Sequence, residues 1–200
     1  MIKNIVFDLG NVILKDNPNI ILKSIELDKN EFESIDSSFF ENWEDLDLGT
    51  SNLKQHFENC KFDFKINEEI KEKLIHYYKY RTFNEELIEL IKQLKGKKYK
   101  IYILSINNID AKDYLTKLPF FEYIDGEIFS CDYKIVKPNL EIYSILFKKY
   151  NLNPKECFFI DDRKQNIEAG EILGMKGFTF NYNENGMVDL LKELSKNNIL

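Results

Sequence analysis

The sequence predicts an α/β protein: a doubly wound parallel sheet with a small helical insert after the first strand. Three observations carry this expectation. Short apolar runs stop abruptly at polar residues, as in Ile5-Val6-Phe7 before Asp8 and Cys157 to Ile160 before Asp161-Asp162. Runs of that length, bounded by turn residues, read as strands buried on both faces. From Asn84 onward such runs alternate with helical periodicity, the rhythm of parallel βαβ units. Between Ile20 and Tyr80 the strand signal disappears and only helical spacing remains.

The first strand is centred on Ile5–Phe7; Ile13 and Leu14 continue apolar before Asp16-Asn17-Pro18-Asn19 breaks the pattern. In the insert, Ile21, Ile25, Phe39, Phe40, Trp43, Leu53, Phe57, Ile70, Leu74, Ile75 and Tyr78 recur at helical spacing. Thr50 or Ser51, after Gly49, is the expected N-cap of the helix carrying Leu53 and Phe57. Asn84 caps a helix through Leu87, Ile88, Ile91 and Leu94 that stops at Gly96. Lys100–Leu104 is a strand ending in Ser105, followed by a helix over Ala111–Leu118 that Pro119 ends. Ile128-Phe129 is a short strand before Ser130, and Lys137 opens the helix through Ile142, Leu146 and Tyr150. After the strand at Cys157–Ile160 come a helix to Leu173, a strand at Gly177–Phe180 and a last helix at Met187–Leu194. The expected division is a core of residues 1–17 and 81–200 and a helical insert of residues 18–80.

Two hundred residues suffice for one domain with a sizeable core. Hydrophobic residues at 44% and charged residues at 31% are ordinary for a globular chain. A net charge of −6 argues against a nucleic-acid surface or an anionic membrane, so any anion site has to be built locally. Cys60, Cys131 and Cys157 form no CxxC pair, which suggests neither a disulfide framework nor a zinc site. No stretch is long and apolar enough to span a bilayer, and no signal-peptide pattern opens the chain. The expected compartment is the cytoplasm.

Asp8, Ser105 and Asp161-Asp162 each end a strand, and in a parallel sheet all such ends share one edge. Lys137 opens the helix that follows the third strand. Each has a plain alternative: Asp8, Asp161 or Asp162 as a cap, Ser105 as a turn residue, Lys137 as a solvated cation. Their convergence favours a site. Carboxylates are hard donors suited to Mg²⁺ together with substrate phosphate. One oxygen of Asp8 can bind metal while the other attacks phosphorus. The Ser105 hydroxyl and nearby backbone N–H groups can hold phosphoryl oxygens, and Lys137 can neutralise charge. Asn166 lies one turn past Asp162 and either faces the same site or is an ordinary polar residue. Phe39, Phe40, Trp43 and Asp47 of the insert either pack a small core of their own or face substrate.

These stretches resemble the haloacid dehalogenase-like hydrolase superfamily, in the branch with a small helical cap. Phe7–Leu14, FDLGNVIL, is similar to its first motif and Ile103–Ser105, ILS, to its second. Lys137–Tyr143, KPNLEIY, and Phe159–Asp162, FIDD, with Asn166 match the third and fourth. The resemblance implies a Rossmann-like core and a Mg²⁺-dependent aspartyl-phosphate mechanism on a small phosphorylated substrate. It implies Asp8, Lys137 and Ser105 as catalytic residues and Asp8, the Gly10 carbonyl, Asp161 and Asp162 as metal ligands. Ser105, Ile106, Asn107, Lys137, Gly10 and Asn11 are the expected phosphate-binding residues.

The chain departs from the family pattern at three places. Position 10, where the first motif usually carries a second Asp as general acid, is Gly. Ile106 separates Ser105 from Asn107. Lys134 stands where Gly usually lies three residues before Lys137, and either reaches the phosphate or points to water, the second being favoured. The leading expectation is a phosphomonoesterase. The competing ones are a silent binding member, which Gly10 would suit, and a haloacid dehalogenase, which the scarcity of Arg (Arg81 and Arg163 only) speaks against.

Overall fold

A five-stranded sheet forms the middle layer, in the order β5 (Gly126–Phe129), β4 (Lys100–Ser105), β1 (Asn4–Phe7), β6 (Cys157–Asp161) and β7 (Lys176–Thr179). The structure is a computed structural model that describes residues 1–15, 22, 27–40, 43–183 and 185–200. All four strand pairings are parallel, so the carboxyl ends of β1, β4 and β6 lie side by side. Winding reverses at β1, which places the ligand crevice of such sheets directly past Phe7.

Residues alternate between the two faces with period two. Ile5 and Phe7 point into a cluster with Ile101, Ile103, Phe158 and Ile160. That cluster is closed by α5 (Glu85–Gly96), through Leu87, Ile91 and Leu94, and by α10 (Gly186–Lys196), through Leu190 and Leu194. Val6, Tyr102, Leu104 and Phe159 point the other way, onto Ile142, Tyr143 and Leu146 of α8 (Leu140–Tyr150) and Ile167 of α9 (Lys164–Ile172). β1 is buried along its whole length. That explains why it reads as a continuous apolar run rather than an alternating one.

The insert leaves and returns through a two-stranded antiparallel ribbon, β2 (Leu14–Lys15) and β3 (Thr82–Phe83). Two-residue strands carry no readable period, and the sequence reading passed over both. Between them lie α1 (Lys29–Phe39), α2 (Glu44–Asp47), α3 (Leu53–Asn59) and α4 (Glu68–Ile75), followed by a 3₁₀ turn at Tyr77–Tyr80. They bury Ile35, Phe39, Leu46, Leu53, Ile70 and Leu74 in a separate cluster. The expected breaker Asp16–Asn19, the start of the insert at residue 18, and Ile20, Ile21 and Ile25 lie outside the described residues. Among the described residues no helix is long and apolar enough to cross a membrane.

Several boundaries differ from expectation. The cap of α3 is Asn52, whose side chain accepts from Gln55 N–H, rather than Thr50 or Ser51. Thr50 instead donates its hydroxyl back to Asp45. The helix expected over Ala111–Leu118 is α6 (Ile109–Leu115), started early because Asn108 caps it, and Leu118 falls before a 3₁₀ turn at Pro119–Tyr123. Lys137 does not open a helix: a one-turn α7 (Ser130–Tyr133) precedes it, and α8 starts at Leu140 under an Asn139 cap. Neither Asp161 nor Asp162 is the N-cap of α9, which is Arg163.

Gly49 docks the insert on the core. It takes φ 67°, and a Cβ there would strike the Cys131 carbonyl. Lys134 ends α7 in the left-handed region at φ 56° and is exposed to solvent. That conformation costs an L-residue about 1–2 kcal/mol, part of which Gly returns through its freer unfolded chain. Lys134→Gly should therefore raise stability by about 0.5–1 kcal/mol, seen as a higher urea midpoint at unchanged slope. An unchanged or lower midpoint would show that the Lys134 side chain makes up for its backbone.

Candidate active site

Asp8 is held at the sheet edge by its backbone, since its N–H still donates to Ile160 O at 2.9 Å. Its Oδ1 accepts from Leu9 N–H at 2.7 Å and lies 3.0 Å from Lys137 Nζ. The same ammonium donates to Leu104 O at 2.9 Å and to Asp161 Oδ2 at 2.6 Å. Its three N–H donors thus meet three acceptors, and the side chain is fully buried. The other oxygen of Asp161, Oδ1, accepts from Arg163 N–H at 2.8 Å and from Asn166 Nδ2 at 2.9 Å. Asn166 Oδ1 is buried with no hydrogen-bond partner.

Burial pushes the Asp8 carboxyl up to about 6; the Lys137 charge pulls it down and the Asp161 charge raises it further. The fully buried Ser105 hydroxyl also favours the ionised form of Asp8. Asp162 is also raised, first by burial and then by Asp161, while the Asn11 amide, 3.3 Å from its Oδ2, opposes this.

A cavity of about 350 Å³ opens over Asp8. Its core side is formed by Gly10, Asn11, Asp162, Arg163 and Asn166, and by Ile106, Asn107 and Asn108 of the loop after β4. Its far side is Phe40, Trp43, Asp47 and Tyr77 of the insert, with Arg81 at the return. Of the expected phosphate residues, Gly10, Asn11, Ile106 and Asn107 line this cavity. Ser105 and Lys137 are buried, and the cavity lining does not include them. The Asn107 main-chain N–H is taken by Ser130 Oγ at 3.0 Å. Of the four insert residues singled out in the sequence, Phe39 is core and the other three line the cavity.

Oxygens of Asp8, Asp161 and Asp162 lie within 4.8 Å of one another. These hard donors, with the unpartnered Asn166 oxygen beside them, fit a hard divalent cation. Asp8 and Asp162 face the cavity; both Asp161 oxygens are already hydrogen-bonded, which makes it chiefly the anchor of Lys137.

Sequence reasoning missed Tyr77 and Asn108 and gave Arg81 no role. Arg81 Nη2 donates to Tyr77 OH at 2.9 Å and Nη1 to Asn107 Oδ1 at 3.3 Å, while Asn108 Nδ2 donates to Tyr77 OH at 3.2 Å. One signal was available: among 28 basic residues only Arg81 and Arg163 are arginine, and both line the cavity.

Residues 2–174 match the family model of haloacid dehalogenase-like hydrolases. The chain belongs to the haloacid dehalogenase-like hydrolase family. This hydrolase is 28% identical, over 89% of its length and 91% of the relative's, to a D-ribitol-5-phosphate phosphatase from Bacteroides thetaiotaomicron. It is 27% identical, over 57% of its length and 56% of the relative's, to a phosphorylated carbohydrates phosphatase from Thermotoga maritima. Its fold superposes with TM-score 0.76 on a family enzyme from B. thetaiotaomicron solved with magnesium and inorganic phosphate. Identity there is 21%, with 92% of this chain and 96% of that one covered.

Asp8 binds its proton more tightly folded than unfolded, since its pKa rises from 3.8 to about 6. Ionising it across that window therefore weakens the fold: the cost is absent below the lower value and full above the upper one. Asp8→Asn removes the cost. Measured in chelator, the variant should gain on wild type as pH rises from 4 to 7, by at most about 3 kcal/mol. A pH-independent difference in urea stability would contradict the raised carboxyl.

Proposed function

We propose that this hydrolase is a Mg²⁺-dependent phosphomonoesterase that acts on a small phosphorylated metabolite through an aspartyl-phosphate on Asp8. The observation that carries the reading is the posture of Asp8. Its carboxylate is pinned through Oδ1 by a buried cation, shares reach of a metal with two other carboxylates, and faces a cavity of metabolite size. The named phosphatases among its relatives support it, as does the magnesium and phosphate held by the structural neighbour.

Held through Oδ1, Asp8 can present Oδ2 to phosphorus. Asp8, Asp162 and, through a shared oxygen, Asp161 would hold Mg²⁺, with the Asn166 oxygen close by and the Gly10 carbonyl as the ligand that the family resemblance suggests. Bound there, Mg²⁺ would offset the charge of the phosphoryl oxygens so that an anionic nucleophile can approach. Lys137, with every donor in use, serves by keeping Asp8 and Asp161 apart and oriented rather than by gripping phosphate. The insert, taken as residues 18–80, acts as a cap that supplies the wall facing the rest of the substrate, and the compartment proposed is the cytoplasm. A second reading, hydrolytic dehalogenation, draws support from the two arginines at the cavity.

The deciding experiment is a hydrolase screen over sugar and polyol phosphates, nucleotides, p-nitrophenyl phosphate and 2-haloacids, each with Mg²⁺ and with chelator. Phosphate release that needs Mg²⁺ and disappears in Asp8→Asn is expected, since an amide oxygen is a poor nucleophile at phosphorus. Halide release in chelator would replace this reading with dehalogenation. Full phosphate release by Asp8→Asn would place the chemistry elsewhere.

A further inference from the structure

The phosphatase reading leaves one proton without a source. An alkoxide leaving group needs a proton as its bond to phosphorus breaks, and general acid catalysis is worth about 10²–10⁴-fold there. The residue two past Asp8 is Gly10, which lines the cavity and brings no acid to it.

Among the described residues, the carboxyl groups lining the cavity are those of Asp8, Asp162 and Asp47. Asp8 is the nucleophile, and Asp162 belongs to the cluster of close carboxylates, which Asp47 does not join. Asp47 comes instead from the insert wall, at the end of α2. Its place relative to the core is set by backbone: its N–H donates to Trp43 O at 2.9 Å, and two residues later Gly49 seats against Cys131. The rival donor on that wall is the Tyr77 phenol, whose oxygen accepts from Arg81 and Asn108. Among the described residues, Arg81 and Arg163 share the cavity lining with Asp47, and Glu44 and Asp45 share its helix.

We propose that Asp47 is the general acid–base residue of this site and takes the place of the acid absent at position 10; the inference rests on the phosphatase reading. As Asp8 Oδ2 forms its bond to phosphorus and the ester P–O bond breaks, the Asp47 carboxyl gives its proton to the ester oxygen. The alcohol leaves neutral. The Asp47 carboxylate then takes a proton from the water that attacks the phosphoryl group on Asp8. Asp8 and inorganic phosphate are released, and the Asp47 acid is restored.

The test compares an alkyl phosphate, ribitol 5-phosphate, with p-nitrophenyl phosphate, whose phenolate leaves without help. Wild type, Asp47→Asn, Tyr77→Phe and Asp47→Asn combined with Gly10→Asp are assayed, and beryllofluoride binding is measured for each. Asp47→Asn should lower kcat/KM, which reports phosphoryl transfer to Asp8 and not the later hydrolysis common to both esters, by about 10²-fold or more for the alkyl ester and far less for the aryl ester. Its beryllofluoride affinity should stay near wild type, and Gly10→Asp should restore part of the alkyl rate. An alkyl-to-aryl ratio of kcat/KM unchanged in Asp47→Asn, or lost beryllofluoride binding, would overturn the assignment while leaving the phosphatase reading intact. A selective alkyl loss in Tyr77→Phe with none in Asp47→Asn would move the role to Tyr77. A wild type that turns over neither ester would overturn the reading and the inference together.

Discussion

The site depends on one buried ammonium. Lys137 Nζ touches Asp8 beyond β1, Leu104 O on β4 and Asp161 at the end of β6, so a single cation ties together the ends of three adjacent strands. Burying charges is costly, and a buried ion pair is poor evidence of net stability. Removing one partner is worse, because it strands the other, at a cost of about 3–5 kcal/mol. The arrangement therefore makes sense as positioning. Burial alone would favour a protonated Asp8, and Lys137 is the first influence that opposes it. A carboxylate that is to stay ionised while buried needs an opposing charge beside it, and Lys137 supplies one.

The edge that this cation ties together was legible in the sequence because the sheet is parallel. Once Ile5–Phe7, Lys100–Leu104 and Cys157–Ile160 are read as strands, Asp8, Ser105 and Asp161 must share an edge, whatever their separation along the chain. Helices with strong apolar faces, such as α5 with its Asn84 cap, were legible for the same local reason. Elements shorter than their own period were not: β2 and β3 have two residues each, and α7 makes one turn. Caps were misread where several candidates stand together, as at Thr50-Ser51-Asn52, because the choice rests on which side chain reaches a free N–H. Tyr77 and Asn108 escaped notice because their contact spans 31 positions and needs the insert folded back on the core.

The insert is attached to the core by more than its ribbon. Asp110, on α6 of the core, accepts from Leu53 N–H at 2.8 Å and so helps to cap α3 of the insert. Tyr78 packs on Tyr114 with ring centroids 5.3 Å apart, and Tyr77 OH is fixed by Arg81 and Asn108. Phe40, Trp43 and Tyr77 pack on one another beside the cavity. The insert wall of the cavity is therefore largely aromatic, while the core wall around Asp8 is polar. The insert thus brings an aromatic surface and the Asp47 carboxyl to a cavity whose floor is the core.

The distribution of cations completes the electrical picture. The chain carries a net charge of −6, so its overall field repels an anionic substrate. Lys137 cannot reverse that at the cavity, because its three donors are spent on the protein. Among the described residues, the groups that line the cavity with positive charge are Arg81 and Arg163. An ammonium is a compact charge that three acceptors can saturate. A guanidinium presents five donors in a plane, and Arg81 uses two of its nitrogens on Tyr77 and Asn107. The two kinds of cation thus sit differently: Lys137 is sealed behind the carboxylates, and the two arginines lie on the cavity lining.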